Sequence, residues 1–209
     1  MRRSSVDFDE AARQLFASLG LDASGSRKGD GLRSNIYNPL DLMYHDEKTG
    51  GKIFVGNQQA AQNAALLKRE GITHVVNCTD SMPLFHQGTF EYYRFNVTFW
   101  AANGENPEAI AKFVQPMLDF VDGCVASGGG VLVHCLAGAH RAGTTGCMLL
   151  MHKCGFSAAA AVAAAKQLRP VIDPIGRFPE LLRKFEGLNE QRKREQRGAV
   201  AGGAGPPPS

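Results

Sequence analysis

Apolar residues in this chain fall into short runs and helical stripes that alternate along most of its length. Lys52-Ile-Phe-Val55 reads as a strand closed by Gly56-Asn57, and Gln58–Glu70 as a helix stopped by Gly71 just past its end. Thr73-His-Val-Val-Asn-Cys78 is a buried-type strand, and Phe90–Val97 is another. Asn106 can cap a helix with Pro107 at its first position. Its residues Ile110, Phe113, Val114, Met117, Val121 and Val125 keep helical spacing, with a kink expected at Pro116. Gly128-Gly-Gly130 then leads into a strand at Val131-Leu-Val133. Two Ala-rich helical stretches follow, 142–153 and 157–168, separated by Gly155, and Pro179 can start a last helix through Phe185 and Leu188. Strands alternating with helices predict an α/β domain with helices on the faces of a sheet.

The ends differ from this core. Residues 6–19 can form an amphipathic helix with Val6, Leu15, Phe16 and Leu19 apolar, and 20–31 read as a Gly/Ser-rich linker. The expected division is an N-terminal helical appendage and linker over 1–34, a catalytic domain over 35–190, and a tail over 191–209. Two readings of the appendage stand side by side: a helix packed on the domain, or a partner-binding segment. Arg192, Lys193, Arg194 and Arg197 form either a solvated helix end or a patch for nuclear import or an anionic surface. Beyond Ala199 the Gly/Ala/Pro-rich composition predicts disorder.

Composition narrows the class. The 209 residues suffice for one domain with a core, and no apolar run reaches the length of a spanning helix. No secretory signal or lipidation motif is visible, and the cysteine content fits a cytoplasmic or nuclear compartment. The net charge of +3 suits acidic substrates but is too small to argue for nucleic acid. Five cysteines, at 78, 124, 135, 147 and 154, form an odd set without a Cys-x-x-Cys pair. That pattern fits reduced thiols, with neither disulfides nor a metal site.

Most of the chemistry is concentrated in one segment, Gly-Val-Leu-Val-His-Cys-Leu-Ala-Gly-Ala-His-Arg over 130–141. A free thiol is mostly protonated at neutral pH and is then a poor nucleophile. Backbone N–H groups leading into a helix N-terminus favour a nearby negative charge. Residues Leu136, Ala137, Gly138, Ala139, His140 and Arg141 occupy such a position, between a strand and a helix. The same N–H groups can cradle phosphoryl oxygens, and Arg141 offers a planar fork for two of them. Cys135 would attack phosphorus to form a phosphocysteine that water hydrolyses, with no metal or other cofactor required. His134 is placed to hydrogen-bond within the loop and help hold the thiolate. A plain buried cysteine beside a glycine turn is the bland alternative.

His134-Cys135-(x5)-Arg141 resembles the signature of cysteine-dependent protein phosphatases, and the surrounding chain resembles their dual-specificity branch. The resemblance extends over Ile53-Phe-Val-Gly-Asn57, Gly71-Ile-Thr-His-Val-Val-Asn77, Leu118-Asp-Phe-Val-Asp122 and Arg169-Pro-Val-Ile-Asp-Pro174. It implies a central four- to five-stranded, mostly parallel sheet flanked by helices. It also implies hydrolysis of phosphotyrosine and phosphoserine or phosphothreonine in proteins. Phosphoprotein binding with vestigial catalysis and hydrolysis of a non-protein phosphomonoester are the alternatives. Neither a nucleic acid nor a membrane is an expected partner.

Three positions depart from the family pattern. The family carries an aspartate about thirty residues before the cysteine as proton donor, but none lies between Asp80 and Asp119. Glu105 could substitute, an aspartate could have been replaced at Ala101 or Ala102, or the reaction could proceed without the acid. Ala142 stands where the family has Ser or Thr, which implies slow phosphocysteine breakdown unless Thr144 or Thr145 supplies a hydroxyl. Ile175 replaces a frequent Asn. In some relatives a cysteine at the position of Cys78 pairs with the nucleophile under oxidation; a plain core cysteine is the other reading. Trp100 is either a pocket wall or a core anchor, and His140 either a cation beside the pocket or an ordinary exposed loop residue.

Overall fold

In the computed structural model the described residues are 6–21 and 37–202, with side chains described through residue 195. Five strands, β1 (Leu40–His45), β2 (Lys52–Gly56), β3 (Ile72–Asn77), β4 (Glu91–Arg94) and β5 (Gly130–His134), form one sheet in the order β1-β2-β5-β3-β4. β1 pairs antiparallel with β2, and the other pairings are parallel. β5 is buried along its whole length, as a central parallel strand covered on both faces must be. The ends of β2 and β3 flank its C-terminal end, so Gly56 and Asn77 both pair with His134. Open α/β sheets place their sites at this edge.

Among the described residues seven α-helices flank the sheet: α1 (Phe8–Ser18), α2 (Gln58–Gln62), α3 (Ala64–Arg69), α4 (Pro107–Ala126), α5 (Arg141–Cys154), α6 (Ala158–Leu168) and α7 (Phe178–Gly202). The larger core joins α4, α5, α6 and α7 to one face, through Val114, Met117, Val121, Met148, Leu181 and Phe185 among others. On the other face Phe54, Leu67, Val75 and Leu132 pack beneath α2 and α3. A single 3-10 turn, Val97–Phe99, follows β4.

Some boundaries depart from the sequence pattern. The helix expected over 58–70 breaks at Asn63, whose backbone leaves the helical region and whose side chain accepts from Leu66 N at 3.0 Å. An asparagine that caps a new helix ends the old one. β1 escaped notice because it is an edge strand with only Met43 buried and a register shift between Leu42 and Tyr44, which spoils the two-residue alternation. α4 runs unbroken through Pro116, starting from the expected cap, where Asn106 Oδ1 accepts from Ala109 N at 2.8 Å. α7 runs on to Gly202, past the point where disorder was expected to begin; residues 203–209 lie outside those described.

Of the N-terminal segment read as an appendage, residues 6–21 pack on the domain, and most of the expected linker lies outside the described residues. Asp7 caps α1 by accepting from Asp9 N and Glu10 N at 3.0 and 2.9 Å. Phe16 and Ala12 are buried in a small core with Ala137, Ala139 and Val171, and Phe8 stacks on Phe178 with 4.6 Å between ring centroids. α1 therefore rests on the loop that follows β5.

Candidate active site

β5 ends at His134 and α5 begins at Arg141, so residues 135–140 form the loop between them. Cys135 sits at its base, 2% exposed, and receives the N–H of Gly138 on its sulfur at 3.3 Å. Gly138 has φ of +65°, and a Cβ there would lie 2.5 Å from the carbonyl oxygen of Gly56, so both the conformation and the space demand glycine.

The loop's carbonyls are tied outward. Leu136 O accepts from Gln58 N at 3.1 Å, and Ala139 O from Asp173 N at 3.1 Å. Ala137 O accepts from the Tyr37 hydroxyl at 2.8 Å and from Arg169 Nη2 at 3.1 Å; Gly138 O accepts from Arg169 Nε at 2.9 Å. In a planar trans peptide the N–H points opposite to the C=O. The N–H groups of Ala137, Gly138, Ala139 and His140 consequently face away from this outer ring, and Gly138 shows the direction by donating to Cys135. Arg169 is 1% exposed and also donates to Asn38 O and Asp41 Oδ2, at 2.9 and 2.6 Å. Tyr37 is fixed in turn by Asn57 Nδ2 at 3.0 Å.

Arg141, the first residue of α5, is 5% exposed. Its Nη2 is ion-paired with the carboxylate of Asp9 from α1, and among the described residues its Nε has no hydrogen-bond partner. A cavity of about 650 Å³ opens beside it, lined by Phe8, Asp9, Trp100, Arg177 and Phe178 among others. Trp100 fills both roles considered for it: it is 3% exposed within the core and also forms cavity wall, with the Arg177 guanidinium 4.7 Å from its ring centroid.

Several expectations need correcting. Glu105 is taken up by two cations, 2.7 Å from Arg177 Nη2 and 3.8 Å from Lys184 Nζ. The hydrogen bond from Arg177 holds its carboxyl below the usual carboxylate range, which is the wrong direction for a proton donor. His134 is fully buried, and burial pushes its imidazole down to about 3 against a weaker opposing hydrogen bond with the Cys135 backbone. It is a neutral ring with Nδ1 unpaired among the described residues, and it brings no positive charge to the thiol. His140 is not an exposed loop residue and is not among the residues lining the cavity: it is 8% exposed and its Nδ1 donates to Asp173 O at 2.7 Å.

The hydroxyls of Thr144 and Thr145 are spent on the carbonyls of His140 and Arg141, at 2.6 and 3.1 Å, as residues packed in a first helical turn would be. Ala142 is fully buried beside them. Cys78 and Cys135 directly follow the neighbouring strands β3 and β5, with Cys78 N donating to His134 O at 2.8 Å; burial pushes the Cys78 thiol up.

Residues 53–187 match the model of the dual specificity phosphatase catalytic domain. The chain belongs to the dual specificity phosphatase family. Human dual specificity protein phosphatase 9 is 29% identical over 211 residues, which cover 97% of this chain and 51% of that protein. Rat dual specificity protein phosphatase 15 is 32% identical over 146 residues, covering 69% of this chain and 58% of the relative. The chain thus spans a little over half the length of these two relatives. Among solved structures, that of DUSP15 aligns with a TM-score of 0.57 at 28% identity, covering 69% of this chain and 88% of its own. Human DUSP28 aligns with a TM-score of 0.59 at 26% identity, covering 76% and 99%. The Cys135 loop lies inside the matched range, whereas α1 and β1, which supply Asp9 and Asp41, lie outside it.

Sequence reasoning found the loop and missed what holds it. Arg169 was visible only as part of a closing motif, and Tyr37, Asn57 and Asp9 were not singled out. A readable signal existed for Arg169, since an arginine directly before Pro170 and an apolar Val171-Ile172 pair is poorly placed for solvent.

Proposed function

We propose that this domain hydrolyses protein phosphomonoesters, on tyrosine and on serine or threonine, through a phosphocysteine on Cys135. The observation that carries the reading is the ring of outward-tied carbonyls, which turns the loop's N–H groups toward the space in front of the sulfur, next to the Arg141 fork. Those donors match the equatorial oxygens of a phosphoryl group in transfer, and being fixed in advance they need no reorganisation during reaction. In the first step the Sγ–P bond forms as the bond from phosphorus to the substrate oxygen breaks, and that oxygen takes a proton. In the second, water adds to phosphorus as S–P breaks, releasing inorganic phosphate. The cavity's other carboxylates favour a single phosphate over a polyanionic head group: Asp7, Asp9 and Asp80 all line it. We place it in the cytoplasm or nucleus, because an odd set of five cysteines without a Cys-x-x-Cys pair fits reduced thiols.

The test is turnover of 4-nitrophenyl phosphate by the wild-type chain and by Cys135→Ser, with acid-quench detection of a phosphorylated intermediate. Turnover and a trapped phosphocysteine are expected in the wild type alone. Equal rates for the two proteins would refute the assignment.

A further inference from the structure

One chemical task at this site has no residue assigned to it. Expelling a serine alkoxide or a tyrosine phenoxide from phosphorus is slow unless the leaving oxygen is protonated, and a positioned acid is worth about 10²- to 10⁴-fold. The loop facing the cavity offers Ala101 there, and Glu105 is committed to Arg177 and Lys184. The carboxylates that do line the cavity are Asp7, Asp9 and Asp80. Asp7 accepts two backbone N–H bonds as the cap of α1, which hold it ionised. Asp80 is exposed and receives the hydroxyl of Ser81 at 3.2 Å. Asp9 alone among them is paired with Arg141.

We propose that Asp9, carried by α1, is the proton donor to the leaving oxygen; this deepens the phosphatase reading and rests on it. In the free protein Asp9 occupies Arg141 Nη2, while Nε stands open. A phosphoryl group bound by both arms of the fork takes Nη2 from Asp9. α1 itself does not leave: Phe16 and Ala12 are buried against the catalytic loop, Phe8 is stacked on Phe178, and Asp7 caps the helix. The displaced carboxyl therefore stays within one side chain's reach of the bound ester. Its neighbour is then the bound ester in place of the Arg141 cation. As Sγ–P forms and P–O breaks, the Asp9 proton passes to the leaving oxygen. In the second step the carboxylate takes a proton from the attacking water as S–P breaks, which restores the acid.

The experiment compares full-length wild type, Asp9→Asn, Asp9→Glu and Glu105→Gln on 4-nitrophenyl phosphate, a good leaving group, and phenyl phosphate, a poor one. The readout is the pre-steady-state rate of phenol release, which reports P–O cleavage even where phosphocysteine hydrolysis limits turnover. Asp9→Asn is expected to lose about 10²-fold or more on phenyl phosphate and little on 4-nitrophenyl phosphate, while binding both substrates more tightly because Arg141 is released. Asp9→Glu should recover part of the phenyl phosphate rate, and Glu105→Gln should match wild type. Faster reaction of Asp9→Asn on both substrates, with leaving-group dependence unchanged, would mark Asp9 as a mere block on Arg141 and overturn the proposal. An equal loss on both substrates would do the same, by revealing a structural role. A wild type no faster than Cys135→Ser on 4-nitrophenyl phosphate would instead sink the phosphatase reading, and this one with it.

Discussion

Replacing Arg169 separates holding the fold from aiming the loop. Arg169→Met keeps most of the stem's volume and deletes the guanidinium. Asp41, only 16% exposed at its side chain, then loses its cation, and the carbonyls of Gly138 and Asn38 lose their donor, while Ala137 keeps Tyr37. Breaking a buried ion pair from one side costs about 3–5 kcal/mol, and each orphaned buried carbonyl about 1–3 kcal/mol. These contributions overlap, since one group supplies them all, so a loss of about 4 kcal/mol is expected. That is a large part of the roughly 5–15 kcal/mol a domain possesses. Urea unfolding followed by the fluorescence of the single, buried Trp100 measures it. Arg169→Lys is the sharper variant. An ammonium can restore the pair with Asp41 but cannot also reach carbonyls on the other side of the fork. Its stability should fall by less than that of Arg169→Met, while kcat/KM on an aryl phosphate should drop about 10²-fold, the cost of misplacing reacting groups by about an ångström. Arg169→Lys with wild-type kcat/KM would refute the claim that this guanidinium aligns the catalytic backbone.

Two other expectations follow from the same site. His134 titrates near 3 in the folded chain and near its ordinary value when unfolded, so between those values the unfolded chain binds the extra proton. Stability from this residue is complete above about pH 6.5 and declines by up to about 1.4 kcal/mol per unit as the pH falls; urea midpoints at pH 7, 6 and 5 should fall more steeply for wild type than for His134→Gln, and parallel lines would disprove it. Ala142→Ser restores a hydroxyl next to Arg141 where Thr144 and Thr145 have none to spare; its steady-state rate should rise toward the burst rate, and an unchanged slow phase would show that the missing hydroxyl is not what limits phosphocysteine hydrolysis.

How far the sequence could be read depended on whether an element's cause lay close along the chain. β5 is a continuous apolar run ahead of Cys135, and α5 follows a glycine-containing turn, so strand, loop and helix were plain from their own residues. β1 was hidden because edge strands bury little, and the split of α2 from α3 because one asparagine chose capping over continuation. In the site, Cys135 and Arg141 are separated by a fixed spacing and could be recognised. Arg169, Tyr37 and Asp9 act from 32, 100 and 132 residues away, and no local pattern marks which distant donor will find a given carbonyl or cation. Glu105 was chosen because it falls at the family's spacing of about thirty residues before the cysteine; Arg177, 72 residues on, claims it in space.

The distant partners are connected to the loop by a physical constraint. In the proposed reaction phosphate is held by backbone N–H groups, which leaves the side chains of Ala137 and Ala139 without a chemical task. They face the other way and form the small, flat surface on which Phe16 and Ala12 of α1 rest. A larger residue at either position would push α1 outward without touching a single N–H of the cradle, because interiors at native density yield to added volume only by moving their neighbours. Asp9 would move with it, away from Arg141. The alanines of the loop therefore set the distance between the Arg141 guanidinium and the carboxylate that α1 presents to it.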